Sequence, residues 1–446
     1  MFKNYIKLAF KVLAQRPFFT FISLFGISFT LMILIVLTAF LETELGAHQP
    51  LTQKDRLVFM NRVIMKQMTR DTIWQVDTTL EAGAPKYDST FTLGEERQSW
   101  YSASTATYSF LDRYMRDIPG VEAYSFYSPD FSYDLFANGN KLSFKAIYAD
   151  ASFWAVYDFQ FLAGRPFRAD DVTAQAQVVV LTRKAARDYF GTDQGVIGKH
   201  LEMDGRQLEV IGLIGQPANS KYFVSAEAYL PLTLCPPAVL ADTGFQGPFE
   251  AVFMGASPIA RESIQQAIAS RAANIPLPNP EEYNYLELMT ATFAGRYAYG
   301  IFPVKDSPSD ALRTFLLIGG GLLLLFILLP TLNLINLNVS RIMERSAEIG
   351  VRKAFGAHSG SILAQLVFEN IVLTFIGGLI GLLLALGLLY LVNDAQVMGD
   401  TQLQFNARVF AWSVLICLLF GIISGLLPAW RMSQLHIANA IKQNPS

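Results

Sequence analysis

Four long stretches without a charged side chain constrain this sequence more than any other feature. They cover 17–41, 314–340, 370–393 and 409–430. About 20 helical residues cross a hydrocarbon core, so each run is long enough to span one. The runs must be helical, because lipid offers no partner for an open backbone hydrogen bond. Buried helices of a water-soluble core fit poorly when all four runs exceed that length. Composition agrees: 52% of the 446 residues are hydrophobic and 16% are charged. The first run reads as a retained anchor rather than a cleaved signal peptide. Its apolar stretch is about twice a typical signal core, and no clean small-x-small site follows it.

Lysine and arginine near the runs set their direction. Residues 1–16 contain Lys3, Lys7, Lys11 and Arg16 and no acid, and 341–369 contains Arg341, Arg345, Arg352 and Lys353. The connector 394–408 holds Asp394 and Asp400 with Arg408 at its edge, and the tail 431–446 holds Arg431 and Lys442. Both termini and the 341–369 loop are therefore expected in the cytoplasm, and 42–313 outside it. For a cell with two membranes, that means a multi-pass inner-membrane protein with a periplasmic domain. Within 1–16 the lysines recur every four residues opposite Phe2, Tyr5, Ile6, Ala9, Phe10 and Leu13. This predicts an amphipathic helix on the membrane surface, with membrane lipid as its partner.

Residues 42–313 have soluble composition. Strands are predicted at 57–63 and 121–127 around a helix at 108–118, and at 251–254 and 283–289 around a helix at 258–273. Between these units, about 130–245 is rich in short strands at 177–182, 201–205 and 208–214, with a helix at 183–190 closed by Gly191. The expected fold class is membrane α-helical, with four transmembrane helices, plus an α+β extracytoplasmic domain carrying a mainly β insertion.

Several chemistries find no footing. Cys235 and Cys417 form no CxxC pair, and the four histidines (His48, His200, His358, His436) are scattered singly. No metal site is expected from such a pattern. Gly198-Lys199 fails as a phosphate loop, since Asp193 stands where glycine is required and His200 where serine or threonine is. There is no nucleophile elbow. The net charge of −2 suggests no nucleic-acid partner. No catalytic residue is assigned and no cofactor is expected in this chain; an enzyme in 42–313 would need a site assembled from distant residues.

The 341–369 loop carries the densest pattern. Glu348 and Arg352 stand four apart in the stabilising order, Gly356 sits where a glycine ends a helix, and Ser359 or Ser361 is placed to cap the next one. On physical grounds this is either a short amphipathic helix across the ends of the spans or a solvated connector. The residues Glu344, Arg345, Glu348, Ile349, Gly350, Arg352, Lys353, Ala354, Gly356 and Ala357 lead into Ile362, Gln365, Glu369, Gly377, Gly378 and Gly381. In that order they resemble the C-terminal permease domain of the MacB/FtsX-like (type VII) ABC transporter family. The tail Gly425, Pro428, Ala429 and Arg431 is similar to the end of that family's last span. Ala163-Gly164-Arg165, Phe167, Tyr189-Phe190-Gly191, Ile197-Gly198-Lys199 and Val210-Ile211-Gly212 resemble its MacB-like periplasmic core domain.

The resemblance implies a permease subunit that couples ATP hydrolysis to movement of its periplasmic domain, for export, efflux or lipoprotein release by mechanotransmission. A cytoplasmic ABC ATPase subunit would bind ATP and Mg and dock on the loop around 341–357, including Phe355. A second permease copy would complete a homodimer or a paralogous heterodimer, and a periplasmic adaptor is a further candidate partner. The external units would correspond to the family's porter and the insertion to its sabre. MacB-type pumps carry the ATPase ahead of the first span. This sequence has about 16 residues there and no phosphate loop, so a separate ATPase chain is expected. The alternative is a membrane-anchored regulator or scaffold that controls a periplasmic cell-wall enzyme without transport.

Two glycine pairs have mechanical rather than chemical promise. Gly377 and Gly381, with Gly378 beside them, and Gly421 and Gly425 are spaced four apart on the third and fourth spans. Small residues at that spacing let helices approach closely in lipid, though glycine is also simply common in such helices. Pro330 is expected to kink the second span.

Overall fold

The fold comes from a computed structural model that describes residues 17–81, 84–137, 139–215, 224–303, 307–344 and 359–395, with scattered positions between 351 and 419. The chain divides into two compact units, 1–46 with 316–446, and 47–315. Its main helices are α1 (Pro17–Leu45), α2 (Tyr108–Tyr114), α3 (Arg183–Phe190), α4 (Ala260–Ala272), α5 (Phe293–Ile301), α6 (Pro308–Glu344) and α7 (Ser359–Asp394). The strands are β1 (Leu57–Glu81), β2 (Ala84–Ser104), β3 (Val121–Ala137), β4 (Asn140–Ala149), β5 (Phe161–Gly164), β6 (Val178–Thr182), β7 (His200–Met203), β8 (Arg206–Ile214), β9 (Ala228–Pro231), β10 (Glu250–Gly255) and β11 (Tyr285–Ala291).

Three described helices are long and apolar enough to cross a membrane, over Thr20–Leu45, Pro308–Phe326 and Val367–Asp394. α6 has 37 residues and α7 has 36. One crossing takes about 20 helical residues, so both are far longer than a bilayer core requires. α6 runs through Pro330 without a break. The predicted fourth span, 409–430, lies largely outside the described residues, and the predicted 1–16 surface helix lies wholly outside them.

The 47–315 unit is built on one sheet in the order β11-β1-β10-β3-β4-β9-β6-β8-β5, with β2 on β1 and β7 on β8. Its pairs are antiparallel except β4 with β9 and β6 with β8. Both predicted strand–helix–strand units are present, as β1 and β3 around α2 and as β10 and β11 around α4. The mainly β part between them does not form a separate sheet. β3 pairs with β10 over 121–127 and with β4 over 127–137, so one strand runs through both parts, with a register shift between Ser128 and Phe131. Central strands β6 and β10 are buried at every position, which is why 178–181 and 251–254 within them read as unbroken apolar runs rather than alternating ones.

Two elements depart from the sequence reading. α2 stops at Tyr114 instead of reaching 118, ahead of the turn set by Pro119 and Gly120. β1 continues far beyond 63 and forms a long ribbon with β2 that closes at Glu81↔Ala84. Past Lys66 the only described strand partner of β1 is β2, and Ile73, Trp74, Val76, Phe91 and Leu93 are exposed there. A ribbon wetted on both faces needs no apolar alternation, so periodicity gave no sign of it.

Candidate functional site

Three constructions stand out among the described residues: a glycine notch between two apolar helices, a knot of glycine turns in the sheet, and a buried charge cluster beneath it.

The notch lies on α7. A Cβ on Gly377 would fall 2.7 Å from Ile27 Cγ2, and one on Gly381 would fall 2.7 Å from the Ser28 carbonyl oxygen. On Gly378 it would reach only ordinary contact, 3.6 Å from Leu31 Cδ1. α1 therefore approaches α7 along a face where two glycines leave room for it. Ile27, Leu31 and Leu373 are buried around the notch.

The knot gathers motif residues that are far apart in sequence. Gly164 (φ +73°) pairs with Gly212 across β5 and β8, and a Cβ at Gly164 would sit 2.1 Å from the Ile211 carbonyl oxygen. The Arg165 amide donates to that same oxygen at 2.9 Å. Nearby, the Gly198 amide donates to the Val210 carbonyl at 2.8 Å, and Lys199 Nζ stands 5.5 Å over the Phe190 ring. α3 begins with the Thr182 hydroxyl accepting from the Ala185 amide and ends on left-handed Gly191. These residues build a close-packed backbone; they show no chemistry of their own.

The charge cluster joins four elements. Glu250, at the start of β10, receives Arg296 Nη2 of α5 at 3.1 Å on Oε1, while Arg296 Nη1 stands 2.7 Å from Oε2. The Tyr127 hydroxyl of β3 donates to Glu250 Oε2 at 3.0 Å and accepts from the Tyr157 hydroxyl at 3.4 Å. The Arg296 guanidinium also lies 5.3 Å from the centroid of the Phe59 ring on β1. At that distance the ring face attracts the cation. Burial raises the Tyr127 pKa and Glu250 adds to the rise. For Arg296 burial works against the charge, yet Glu250 and the two tyrosines outweigh it and raise its pKa. The buried guanidinium keeps its charge because a carboxylate and two tyrosines partner it.

With this geometry established, comparison with known proteins decides the family. Residues 20–271 match the MacB-like periplasmic core domain and residues 320–437 match the FtsX-like permease C-terminal domain. The chain belongs to the MacB/FtsX-like family of ABC transporter permeases. Among relatives of this permease, the uncharacterized ABC transporter permease YvrN of Bacillus subtilis (strain 168) is 25% identical over 312 residues, 68% of this chain and 71% of that one. The macrolide export ATP-binding/permease protein MacB of Chromobacterium violaceum is 23% identical over 291 residues, 65% of this chain but 42% of that one. The solved extracellular domain of the noncanonical ABC-type transporter YknZ from Gram-positive bacteria aligns with a TM-score of 0.30 and 16% identity, over 37% of this chain and 80% of that one.

Of this permease's predicted coupling residues, Glu344 closes α6 and Phe355 is a turn residue, 88% exposed. Arg345, Glu348, Ile349, Gly350, Arg352, Lys353, Ala354 and Gly356 lie outside the described residues, as do Gly421 and Gly425. At the start of α7, Gln365 Nε2 donates to Glu369 Oε1 at 3.0 Å, and both side chains are buried. Sequence reasoning missed the Glu250–Arg296 cluster. The available signal was a lone charge within the aromatic stretch Phe293–Ile301, a placement that calls for a partner wherever the stretch is buried.

Proposed function

We propose that this chain is the membrane subunit of an ABC exporter whose separate ATPase subunit, loaded with ATP and Mg, docks on the 341–357 loop. Closure of the spans on ATP binding would then move the 47–315 domain, which lies outside the cytoplasm with both termini inside. A second permease copy completes the assembly. The observation that carries this reading is the order of the two family signatures along one chain, 20–271 and 320–437. Two further features support it. α6 is one continuous helix from Pro308 to Glu344, long enough to carry a displacement beyond the bilayer. Relatives named for macrolide export and pyoverdine export favour export over a purely regulatory role, although they are ATP-binding/permease proteins of which this chain matches 42%.

Purification of the tagged chain from its native membrane tests the reading. An ATP-hydrolysing subunit should accompany it, and the chain should stimulate that subunit's turnover in lipid. Glu348→Lys combined with Arg352→Glu should weaken both the association and the stimulation. If both survive the exchange, the loop does not couple; if no ATPase accompanies the chain, the exporter reading fails as a whole.

A further inference from the structure

Both chain segments that lead into and out of the 47–315 unit converge on α5. At the start, Lys54 Nζ lies 5.3 Å from the Phe293 ring centroid, and the neighbouring Arg56 Nε donates to the Gly255 carbonyl at the end of β10 at 2.7 Å. Arg56 also pairs with Glu122 at the start of β3. The Asp158 amide donates to the Pro50 carbonyl at 2.9 Å, which fastens the same segment to the insertion. At the end, Ser307 caps α6 by accepting from the Asp310 amide at 3.2 Å. Such a cap satisfies one of the amides left open at a helix start. Gly295 of α5 packs against Pro308, whose carbonyl oxygen would be in ordinary contact, 3.4 Å from an added Cβ. Tyr297 of α5 meets Phe315 of α6 edge-on, with ring centroids 6.0 Å apart.

α5 is only nine residues long, and contacts between apolar side chains alone let a short helix slide. Arg296 meets Glu250 through one hydrogen bond from Nη2 and an ion-pair contact from Nη1, and the planar guanidinium fixes direction as well as distance. Replacing a whole buried ion pair with apolar groups is often neutral or stabilising, whereas removing one partner leaves the other charge buried and uncompensated. The pair also reaches three strands at once, through Glu250 on β10, Phe59 on β1 and Tyr127 on β3.

We propose that the Arg296–Glu250 pair is a positioning element that locks α5 to the sheet, so that displacement of α6 is passed to β1, β3 and β10 instead of being absorbed by sliding of α5. The inference rests on the exporter reading for the source of that displacement, but the lock itself exists without nucleotide.

The experiment is single-molecule energy transfer on the full chain in nanodiscs with its ATPase. Donor and acceptor sit at Ser309→Cys and Asp188→Cys, both exposed, in a Cys235→Ala, Cys417→Ala background diluted into unlabelled chain. The parent should give one narrow population that ATP does not change. Glu250→Gln and Arg296→Met should broaden or split it, while ATP hydrolysis continues at the parent rate. Arg296→Lys, which keeps the charge but loses the planar guanidinium, should fall between the parent and these two variants. Should Arg296→Met fail to fold, Arg296→Lys and Tyr127→Phe carry the test. A single unchanged population in the folded variants overturns the lock. A parent that shows no ATP hydrolysis overturns the exporter reading instead, and the nucleotide-free widths still decide the lock.

Discussion

Around Gly377 and Gly381 two helices meet where side chains are missing, whereas around Phe153 the 47–315 unit is held by rings. Tyr127, Tyr157, Phe159, Trp154 and Tyr229 surround Phe153, with ring centroids between 4.8 Å and 5.9 Å away. The contrast follows from the solvent. In water, burying an aromatic ring removes a large apolar area, and edge-on or stacked neighbours add to that gain. In lipid a leucine gains little by leaving one apolar surface for another, so helices associate through close backbone approach, which only small residues permit. One chain therefore uses large residues to hold its sheet unit and absent side chains to hold its apolar helices.

Three perturbations probe the contrast, from the largest expected effect to the smallest. Phe153→Ala should destabilise the sheet unit by about 3–5 kcal/mol, the usual cost of deleting a buried ring. Denaturant unfolding of the purified chain, followed by tryptophan fluorescence, should show an earlier transition; an unmoved midpoint would mean the ring cluster is not the core of that unit. Gly381→Ala should cost about 1–3 kcal/mol, the usual range for an overpacked site. Its methyl meets the Ser28 carbonyl, a backbone atom that cannot swing aside. Gly378→Ala, with ordinary contact at 3.6 Å, should be nearly neutral. The midpoints of thermal aggregation in detergent should separate the two variants, and equal midpoints would dismiss the notch.

The smallest change, for each pH unit crossed, is a pH dependence confined to the sheet unit. Burial raises Asp150 from 3.8 to about 6, against the amides of Phe126 and Phe153 and the Ser125 hydroxyl that donate to it. The folded state thus holds this proton more tightly than the unfolded one. Its contribution is fully present below pH 3.8 and is lost as pH rises through about 6. On the order of 1 kcal/mol should be lost per pH unit across that window. Asp150→Asn should flatten this part of the stability profile, measured by melting at several pH values; a profile with unchanged slope would rule the group out.

Legibility in the sequence tracked how local each signal was. α3 could be read from Thr182 and Gly191 because both caps act within one turn of their own helix. The small-x-x-x-small spacing of Gly377 and Gly381 was visible too, but not that Ile27 and Ser28 would face it from hundreds of residues away. The β1–β2 ribbon escaped because both its faces meet water and leave no alternation. Glu250 and Arg296 escaped because nothing in a 46-residue separation announces a contact.

By itself the sequence determined the number and length of the apolar runs, the α+β character of the long segment between the first two, and the family. These follow from lipid excluding charge and from motifs whose residues lie close together in the chain. The tertiary structure alone decided that the two parts of the external domain share one sheet through β3, that α1 fills the glycine notch of α7, and that a buried arginine ties α5 beneath three strands. Each of these depends on which distant surfaces meet, and that is settled by packing and by the need of every buried charge for a partner.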